Sequence, residues 1–122
     1  MAQTLGIMDI VWKGKKLPIE QKSGKLKLGG MMNTPVVLNA SVDRAGHFEP
    51  SEITATIPLR RGMRLMDMFD SADGELQVLC DTGQTYVWPD AFLVTRPEAH
   101  AGEGGKIEMK WSAAAPDELL AS

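Results

Sequence analysis

Short segments in which apolar and polar residues strictly alternate constrain the fold of this chain most. Residues 106–111 read Lys-Ile-Glu-Met-Lys-Trp, and residues 52–57 read Glu-Ile-Thr-Ala-Thr-Ile. Because successive side chains of a β-strand point to opposite faces, this period of two predicts strands that are buried on one face only. The chain is therefore expected to be mostly β.

A long hairpin is predicted between residues 35 and 57. Its first strand, 35–42, places Val36, Leu38 and Val42 on the core face, and its second strand is 52–57. The polar connection 43–50, with a glycine at its tip, is expected to project beyond the sheet as a loop.

Other segments complete the predicted sheets. Residues 5–12 and 24–30 indicate short strands. Residues 76–81 form a second hairpin with 85–88, around a tight turn at Thr82 and Gly83, and this hairpin ends at Pro89. The residues after 113 are small, acidic and interrupted by proline, so we expect a flexible tail over 113–122.

Residues 59–70 change from a period of two to the helical period. Met63, Leu65, Met66 and Phe69 fall three or four positions apart on one face, and three arginines lie on the other. The predicted fold is thus a mostly β domain, a β-sandwich or partial barrel, with one flanking α-helix. At 122 residues the chain forms one domain, 1–122.

Composition excludes several classes of protein. A formal charge of −3 argues against a protein that binds nucleic acid, because such binding needs a basic surface. No apolar run approaches the roughly 18 to 20 residues that span a bilayer, so no membrane span is expected. A lone cysteine, Cys80, rules out an internal disulfide and multi-cysteine metal sites.

The sequence contains no constellation that would support catalysis. His47 and His100 lie in predicted loops, and Cys80 lies on the apolar side of its strand. The glycine-rich residues 102–105 are followed by a strand, whereas a glycine-rich phosphate-binding loop is followed by a helix. We therefore expect no enzyme activity, no catalytic residue, no metal and no cofactor.

Four segments taken in order resemble the tail tube proteins of Mu-like contractile-tailed bacteriophages. The resemblance runs from about residue 5 to 116. The segments are 24–30 (GKLKLGG), 51–57 (SEITATI), 81–87 (DTGQTYV) and 101–111 (AGEGGKIEMKW). The arginine- and methionine-rich helix and the 43–50 loop depart from the family's pattern.

The resemblance implies a structural protein of the virion. Copies would form hexameric rings that stack into the hollow inner tube of a contractile tail, and DNA would pass through without specific binding. Implied partners are further copies of the chain, the tail sheath protein, the baseplate or initiator and the tape measure protein. Assembly would occur in the cytoplasm of the bacterial host.

Three sets of residues follow as candidate surfaces. The non-core faces of both hairpins are polar and nearly free of lysine and arginine, which suits a bore along which DNA slides. The lumen set is Asn39, Ser41, Asp43, Glu52, Thr54, Thr56, Gln77, Asp81 and Thr85. The set for contact with a neighbouring subunit or ring is Arg44, His47, Phe48, Glu49 and Pro50, and the sheath-facing set is Arg60, Arg61 and Arg64.

Two alternatives stay open. A tailocin or a type VI secretion-like apparatus would use the same ring stacking. A small monomeric β-domain that binds a ligand belongs to a different class, and it would have a concave apolar pocket.

Overall fold

The computed structural model of this protein describes residues 3, 5–20, 23–62, 64, 72–99, 101–102 and 105–120. These residues form ten strands and no helix. The strands are β1 (Met8–Trp12), β2 (Lys15–Leu17), β3 (Lys25–Lys27), β4 (Gly30–Leu38), β5 (Ser41–Glu49), β6 (Ser51–Pro58), β7 (Gly74–Cys80), β8 (Gln84–Leu93), β9 (Lys106–Ala113) and β10 (Asp117–Leu120). Within the described ranges, no helix long and apolar enough to cross a bilayer is found.

Eight strands form one antiparallel sheet that β8 divides into two layers. The order along the sheet is β2-β1-β7-β8-β9-β6-β3, and β10 also pairs with β8. β8 pairs with β10 over its first four residues and with β7 as far as Ala91, whereas its last residues, Phe92 and Leu93, pair with β9. We call β2, β1, β7, β8 and β10 the first layer, and β9, β6 and β3 the second layer.

The two layers share one apolar core. Ile10, Leu76 and Trp88 of the first layer are buried together with Ile53 and Trp111 of the second. The rings of Trp12 and Trp111 lie 5.9 Å apart between centroids, so they join the layers directly. Aromatic pairs at this spacing add to the stabilisation that burial provides.

The alternating segments form the predicted strands. In β6 every second residue from Ser51 to Ile57 is buried, and in β9 Ile107, Met109 and Trp111 are buried between exposed or half-buried neighbours. The mostly β fold that the alternation predicted is confirmed. The predicted turn at Thr82 and Gly83 joins β7 to β8.

The long hairpin predicted over 35–57 is wrong in its pairing. β4 pairs with β5 around a two-residue turn at Asn39 and Ala40, and residues 43–49, predicted to be a loop, lie in β5. Asn39 takes the left-handed φ of 50°, which asparagine tolerates better than most residues. Gly46, the predicted tip, instead lies within β5 opposite Asn33.

Pro89 does not end its strand. β8 continues through it to Leu93, and Pro89 lies where the register against β7 shifts between Gly74 and Leu76. A proline, which has no N–H to donate, is tolerated at such an irregularity. Beyond this irregularity, Phe92 and Leu93 pair with β9, so one strand serves both layers.

The flanking helix predicted over 59–70 is not supported. Leu59 and Arg60 are in no regular element, residues 61–62 form a turn, and residues 63 and 65–70, with the predicted apolar helix face, lie outside the described residues. Of the segment expected to be a tail, Ala113 ends β9 and Asp117–Leu120 form β10 against β8.

Candidate assembly surface

A two-stranded ribbon extends from the second layer. We call residues 30–49, that is β4, β5 and their turn, the ribbon. It keeps the register of the strands that lead into it: Lys27 pairs with Glu52, and three residues further along each strand Gly30 pairs with Glu49. The ribbon is therefore the continuation of the β3–β6 pair, and in the described chain no third strand pairs with it.

The base of the ribbon is tightly packed. The Gly29 N–H donates to Ser51 Oγ at 2.6 Å, and this hydroxyl donates to the Ala114 carbonyl at 2.9 Å. A Cβ at position 29 would lie 2.8 Å from the Glu49 carbonyl oxygen and would clash with the Ser51 nitrogen. The next residue, Gly30, has a φ of 146°, which favours glycine. The ribbon thus leaves the sandwich at a close backbone crossing.

One face of the ribbon is apolar. Cross-strand partners share a face, so the pairs Met31/Phe48 and Val37/Val42 lie together with Pro35 and Arg44 between them. Met31, Val37 and Val42 are about two thirds exposed. We call the side of Met31, Pro35, Val37, Val42 and Phe48 the apolar ribbon face, and Arg44 is its one charged residue.

The opposite face of the ribbon carries a polar chain. His47 Nδ1 lies 3.2 Å from Thr34 Oγ1, and its Nε2 lies 3.0 Å from Glu49 Oε1. Asp43 adds a second carboxylate on this side, opposite Val36. Met32, Val36 and Leu38 are also exposed on this side, which we call the polar face. The two faces therefore differ in charge and not in whether they carry apolar side chains, since the polar face carries the acidic residues.

Sequence reasoning missed much of this surface. Val36, Leu38 and Val42, which were predicted to face a core, are 40%, 53% and 67% exposed. The signal that could have found the turn is Asn39 directly after the apolar run 36–38. A cluster of exposed apolar side chains on an extended ribbon marks an interaction surface, and its unpaired edges are open to another chain.

A groove lies between the first layer and the second, away from the ribbon base. It encloses about 620 Å³ between the start of β1 and the segment that leads into β3. The Glu20 N–H in its wall donates to the Thr56 carbonyl, five residues along β6 from the ribbon base at Ser51. The lining residues are Leu5, Gly6, Ile7, Met8, Asp9, Ile19, Glu20 and Gly24. Leu5 and Ile7 are half exposed, so the groove is partly apolar, with two carboxylates.

The predicted lumen residues do not lie on one surface. Gln77 and Thr85 lie on the outer face of the first layer, with Asp81 just beyond the end of β7. Their cross-strand partners Val87 and Leu79 are uncharged, and β1 adds Asp9 and Val11 beside them. β2 adds Lys16 opposite Val11, with its Nζ 3.9 Å from Asp9 Oδ2, so the lysine on this face is paired with a carboxylate.

Glu52, Thr54 and Thr56 lie instead on the outer face of the second layer. β6 carries no lysine, but its neighbours place Lys27 opposite Glu52, and Lys25 and Lys110 opposite Thr54. Thr56 lies opposite Glu108. Glu52 Oε2 lies 3.8 Å from Lys27 Nζ, and its Oε1 lies 3.5 Å from Lys110 Nζ. Asn39, Ser41 and Asp43 belong to the outer half of the ribbon.

The predicted contact residues lie together on or beside the ribbon. Arg44 and Phe48 are on its apolar face, His47 and Glu49 are on its polar face, and Pro50 follows directly. The predicted sheath-facing residues Arg60, Arg61 and Arg64 are all exposed. Arg60 and Arg61 lie shortly after the end of β6 at Pro58.

The described residues contain little reactive chemistry. They include no group of three histidine, cysteine, aspartate or glutamate side chains that could hold a metal ion. Burial, and then the neighbouring Asp81 carboxylate, raise the pKa of the Cys80 thiol. A raised pKa keeps the thiol protonated and therefore weakly nucleophilic.

Tyr86 and Glu118 link β10 to β8. They are directly opposite in the two strands, and the hydrogen bond between their side chains, followed by burial and by repulsion from the carboxylate, raises the pKa of Tyr86 to about 12. All four residues of β10 are exposed. The strand is therefore held by backbone pairing and by this side-chain contact.

Solved structures with similar folds come from contractile and phage-like particles. A chain of the sheath-tube complex of an extracellular contractile injection system, in the extended state, has a TM-score of 0.65 at 8% identity, over 98% of this chain and 93% of that chain. The tube terminating cap of the anti-feeding prophage gives 0.64 at 8% identity, over 99% and 95%. A chain in the virion of a native gene transfer agent particle gives 0.64 at 14% identity, over 99% and 100%.

At these identities the structural likeness concerns the fold. No curated protein matches the sequence. The sequence profile described as phage tail tube protein, however, matches residues 1–118, which is nearly the whole chain. The resemblance seen in the four sequence segments is thereby confirmed, and the chain belongs to the phage tail tube protein family.

Proposed function

We propose that this structural tail tube protein assembles through its ribbon into rings that stack as the hollow inner tube of a contractile tail. The observation that carries the proposal is the apolar ribbon face, whose exposed side chains and unpaired strand edges have no cover within the described chain. Burial of apolar surface is the main driving force of protein association. The rings are proposed to be hexameric.

The outer face of the first layer is the best candidate for the lining of the bore. Gln77, Thr85 and the uncharged residues beside them offer no cation to DNA phosphates, and the one lysine that β2 places on this face, Lys16, lies 3.9 Å from the Asp9 carboxylate. The outer face of the second layer is less suited, because three lysines lie opposite Glu52 and Thr54. If each of six copies contributes four strands tilted by ~40°, the barrel has a backbone diameter of roughly 48 Å, which admits duplex DNA.

The sheath is proposed to contact the opposite side of the tube. A protein similar in fold occurs in a sheath-tube complex, which supports a sheath partner for this chain. We propose Arg60, Arg61 and Arg64 as the residues that meet an acidic sheath surface. Further proposed partners are the baseplate or initiator and the tape measure protein, and assembly is proposed to take place in the host cytoplasm before the tube becomes part of the virion.

A tailocin or type VI secretion-like tube would be built from the same surfaces, so it remains an alternative. No catalytic role is proposed, since the family is structural. The monomeric binding module predicts the opposite state of association, which makes assembly the discriminating property.

The test is negative-stain electron microscopy with size-exclusion chromatography over a range of concentrations. We expect rings or hollow tubes wider inside than duplex DNA. The variant Val37→Asn/Val42→Asn should remain folded and monomeric, because both positions are about two thirds exposed and lie on the apolar ribbon face. The matched variant Thr34→Asn/Ala45→Asn, on the polar face, should still assemble. A wild-type protein that stays monomeric even with its tail initiator contradicts the proposed function.

A further inference from the structure

We propose that β10 is a releasable cover of the β8 edge, and that the Ser51 hydroxyl links its release to the position of the ribbon. In the free subunit the edge stays covered, and a ribbon that is displaced at its base uncovers it. The inference deepens the proposed function and rests on it, because it names a control on when a copy becomes ready to assemble.

β10 contributes no buried side chain to the apolar core. Its four residues are exposed, and the exposed fractions of Leu119 and Leu120 are 58% and 73%. Its attachment therefore rests on backbone pairing with residues 84–87 and on the side-chain hydrogen bond between Tyr86 and Glu118. Because apolar burial is the main force that holds a fold together, β10 is expected to open more readily than β6 or β9, whose alternate residues are buried.

β10 covers one edge of β8. Residues 85–87 pair with β7 on one side and with β10 on the other, so an opened β10 leaves this part of β8 paired on one side only. An uncovered edge presents unpaired N–H and C=O groups, to which a strand of another chain can add. Under the proposed function that chain is a second copy. β10 and an incoming strand would therefore compete for the same backbone groups of β8.

Ser51 ties the ribbon base to the segment that leads into β10. Its hydroxyl accepts from the Gly29 N–H at 2.6 Å and donates to the Ala114 carbonyl at 2.9 Å. Ala114 is the first residue of the linker, residues 114–116, which joins β9 to β10. A hydroxyl has one proton, and the contact with Ala114 uses it. Because Ser51 is fully buried, the two hydrogen bonds form a continuous link between the ribbon and the linker.

The linker can pass a displacement on to β10. It is only three residues long, and its last residue, Pro116, has a fixed φ. At the ribbon base, a Cβ on Gly29 would clash with the Ser51 nitrogen, so no free space separates these residues. A ribbon that tilts about its base would therefore move Gly29 relative to Ser51. We expect this movement to loosen Ala114 and the strand that follows it.

The first test follows hydrogen exchange of β10 by mass spectrometry, relative to the exchange of β9 in the same molecule. Gly29→Ala displaces the ribbon base without touching β10, so the amides of residues 117–120 should exchange about tenfold faster relative to β9. Gly46→Ala, also in the ribbon, is the control and should leave this ratio unchanged, since its Cβ meets Met31 Cε at an ordinary 3.6 Å. An unchanged ratio in a folded Gly29→Ala protein overturns the link.

The same measurement separates the link from general destabilisation. Ser51→Ala removes the hydroxyl and should raise the ratio of β10 to β9 exchange. Ile57→Val, at a fully buried position of the same strand, weakens the core but keeps the hydroxyl, so the ratio should stay as in the wild type. Equal ratios in the two variants mean that Ser51 acts on the whole fold and overturn its assignment as the link.

The second test fastens the cover. In a Cys80→Ala background, Thr85→Cys/Leu119→Cys places two cysteines directly opposite each other in β8 and β10. The oxidised protein should form no rings or tubes, and reduction should restore assembly. The matched variant Leu79→Cys/Thr85→Cys joins β8 to β7, which stay paired throughout, so it should assemble in both redox states. Assembly of the oxidised β8–β10 variant to the same extent as its reduced form overturns the proposal.

The two proposals can fail separately. If the wild type forms tubes and the oxidised β8–β10 variant forms them equally well, β10 does not control assembly and the tube function stands. If hydrogen exchange shows the link but the wild type yields no tubes even with its tail initiator, the link exists and the proposed function is wrong.

Discussion

The backbone nitrogen of Gly29 donates a 2.6 Å hydrogen bond to the buried hydroxyl of Ser51, and this contact joins the two strands of the ribbon at the point where they leave the sandwich. Ser51 also donates to the Ala114 carbonyl. One side chain therefore ties the ribbon base to the end of β9. The direction of the ribbon, and with it the geometry of any assembly, depends on this crossing.

Replacing Gly29 by alanine should destabilise the fold by about 1–3 kcal/mol, the usual effect of forcing extra atoms into a packed site. The added Cβ would clash with the Ser51 nitrogen and lie 2.7 Å from the Pro50 carbonyl carbon. Urea unfolding measures the loss. Gly46→Ala is the control, since its Cβ would meet Met31 Cε at an ordinary 3.6 Å. Equal stabilities of the two variants would contradict the close crossing.

Replacing Ser51 by alanine should lower the free energy of unfolding by about 1–3 kcal/mol, because the Gly29 N–H and the Ala114 carbonyl lose their hydroxyl partner in a buried site. Ser41→Ala serves as the control. The Ser41 hydroxyl donates to the Leu38 carbonyl at 2.9 Å but is exposed, so its loss should change the free energy of unfolding by less than about 0.5 kcal/mol. The same denaturation experiment measures both variants.

The link between β8 and β10 should weaken at high pH. Tyr86 is the only tyrosine, so ultraviolet absorbance reports its ionisation alone, and we expect a pKa of about 12. Because the folded pKa lies above the ordinary value of 10, the contact contributes stability fully below about pH 10 and loses it as the pH rises through 12.

Glu118→Ala should lower the pKa of Tyr86 toward its ordinary value, since the hydrogen-bond acceptor and the repelling carboxylate both disappear. Asp117→Ala is the matched control. Asp117 pairs with Val87 on the opposite face of β10, so this change should leave the pKa of Tyr86 unchanged. An unchanged pKa of Tyr86 in the Glu118→Ala variant would contradict the hydrogen bond between Tyr86 and Glu118.

Replacing Trp111 by alanine should cost about 3–5 kcal/mol, because Trp111 is fully buried and packs against Trp12 between the layers. Phe92→Ala, on the outer face of the same region, is the control and should cost much less, since Phe92 is 43% exposed. Thermal or chemical unfolding followed by tryptophan fluorescence distinguishes them.

The proposed bore can be tested with lysine. In assembled tubes, Gln77→Lys/Thr85→Lys should retain duplex DNA at low salt and release it as salt rises, because a basic wall binds phosphate through counterion release. Thr54→Lys/Thr56→Lys adds the same charge to the outer face of the second layer, and we expect no retention inside the tube. Retention by the second variant and not the first would reverse the assignment of the bore.

The local sequence is enough to define the strands that bury one face. In β6 and β9 the alternation of apolar and polar residues is strict, and any register that buried the wrong face would expose a row of isoleucine, methionine and tryptophan to water. The turn at Thr82 and Gly83 was predictable for a similar reason, because it follows from local backbone preferences. Four short segments also sufficed to indicate the family.

The pairing of the strands, and the choice of which apolar residues stay exposed, depend on contacts made only in the folded chain. In residues 36–42, apolar side chains occur on both faces of β4, so alternation does not distinguish a core strand from a ribbon that awaits a partner. Likewise, β6 has no lysine of its own, and only its pairing with β3 and β9 places three lysines beside it. Such properties arise from contacts between residues distant in sequence, and a local pattern carries no information about them.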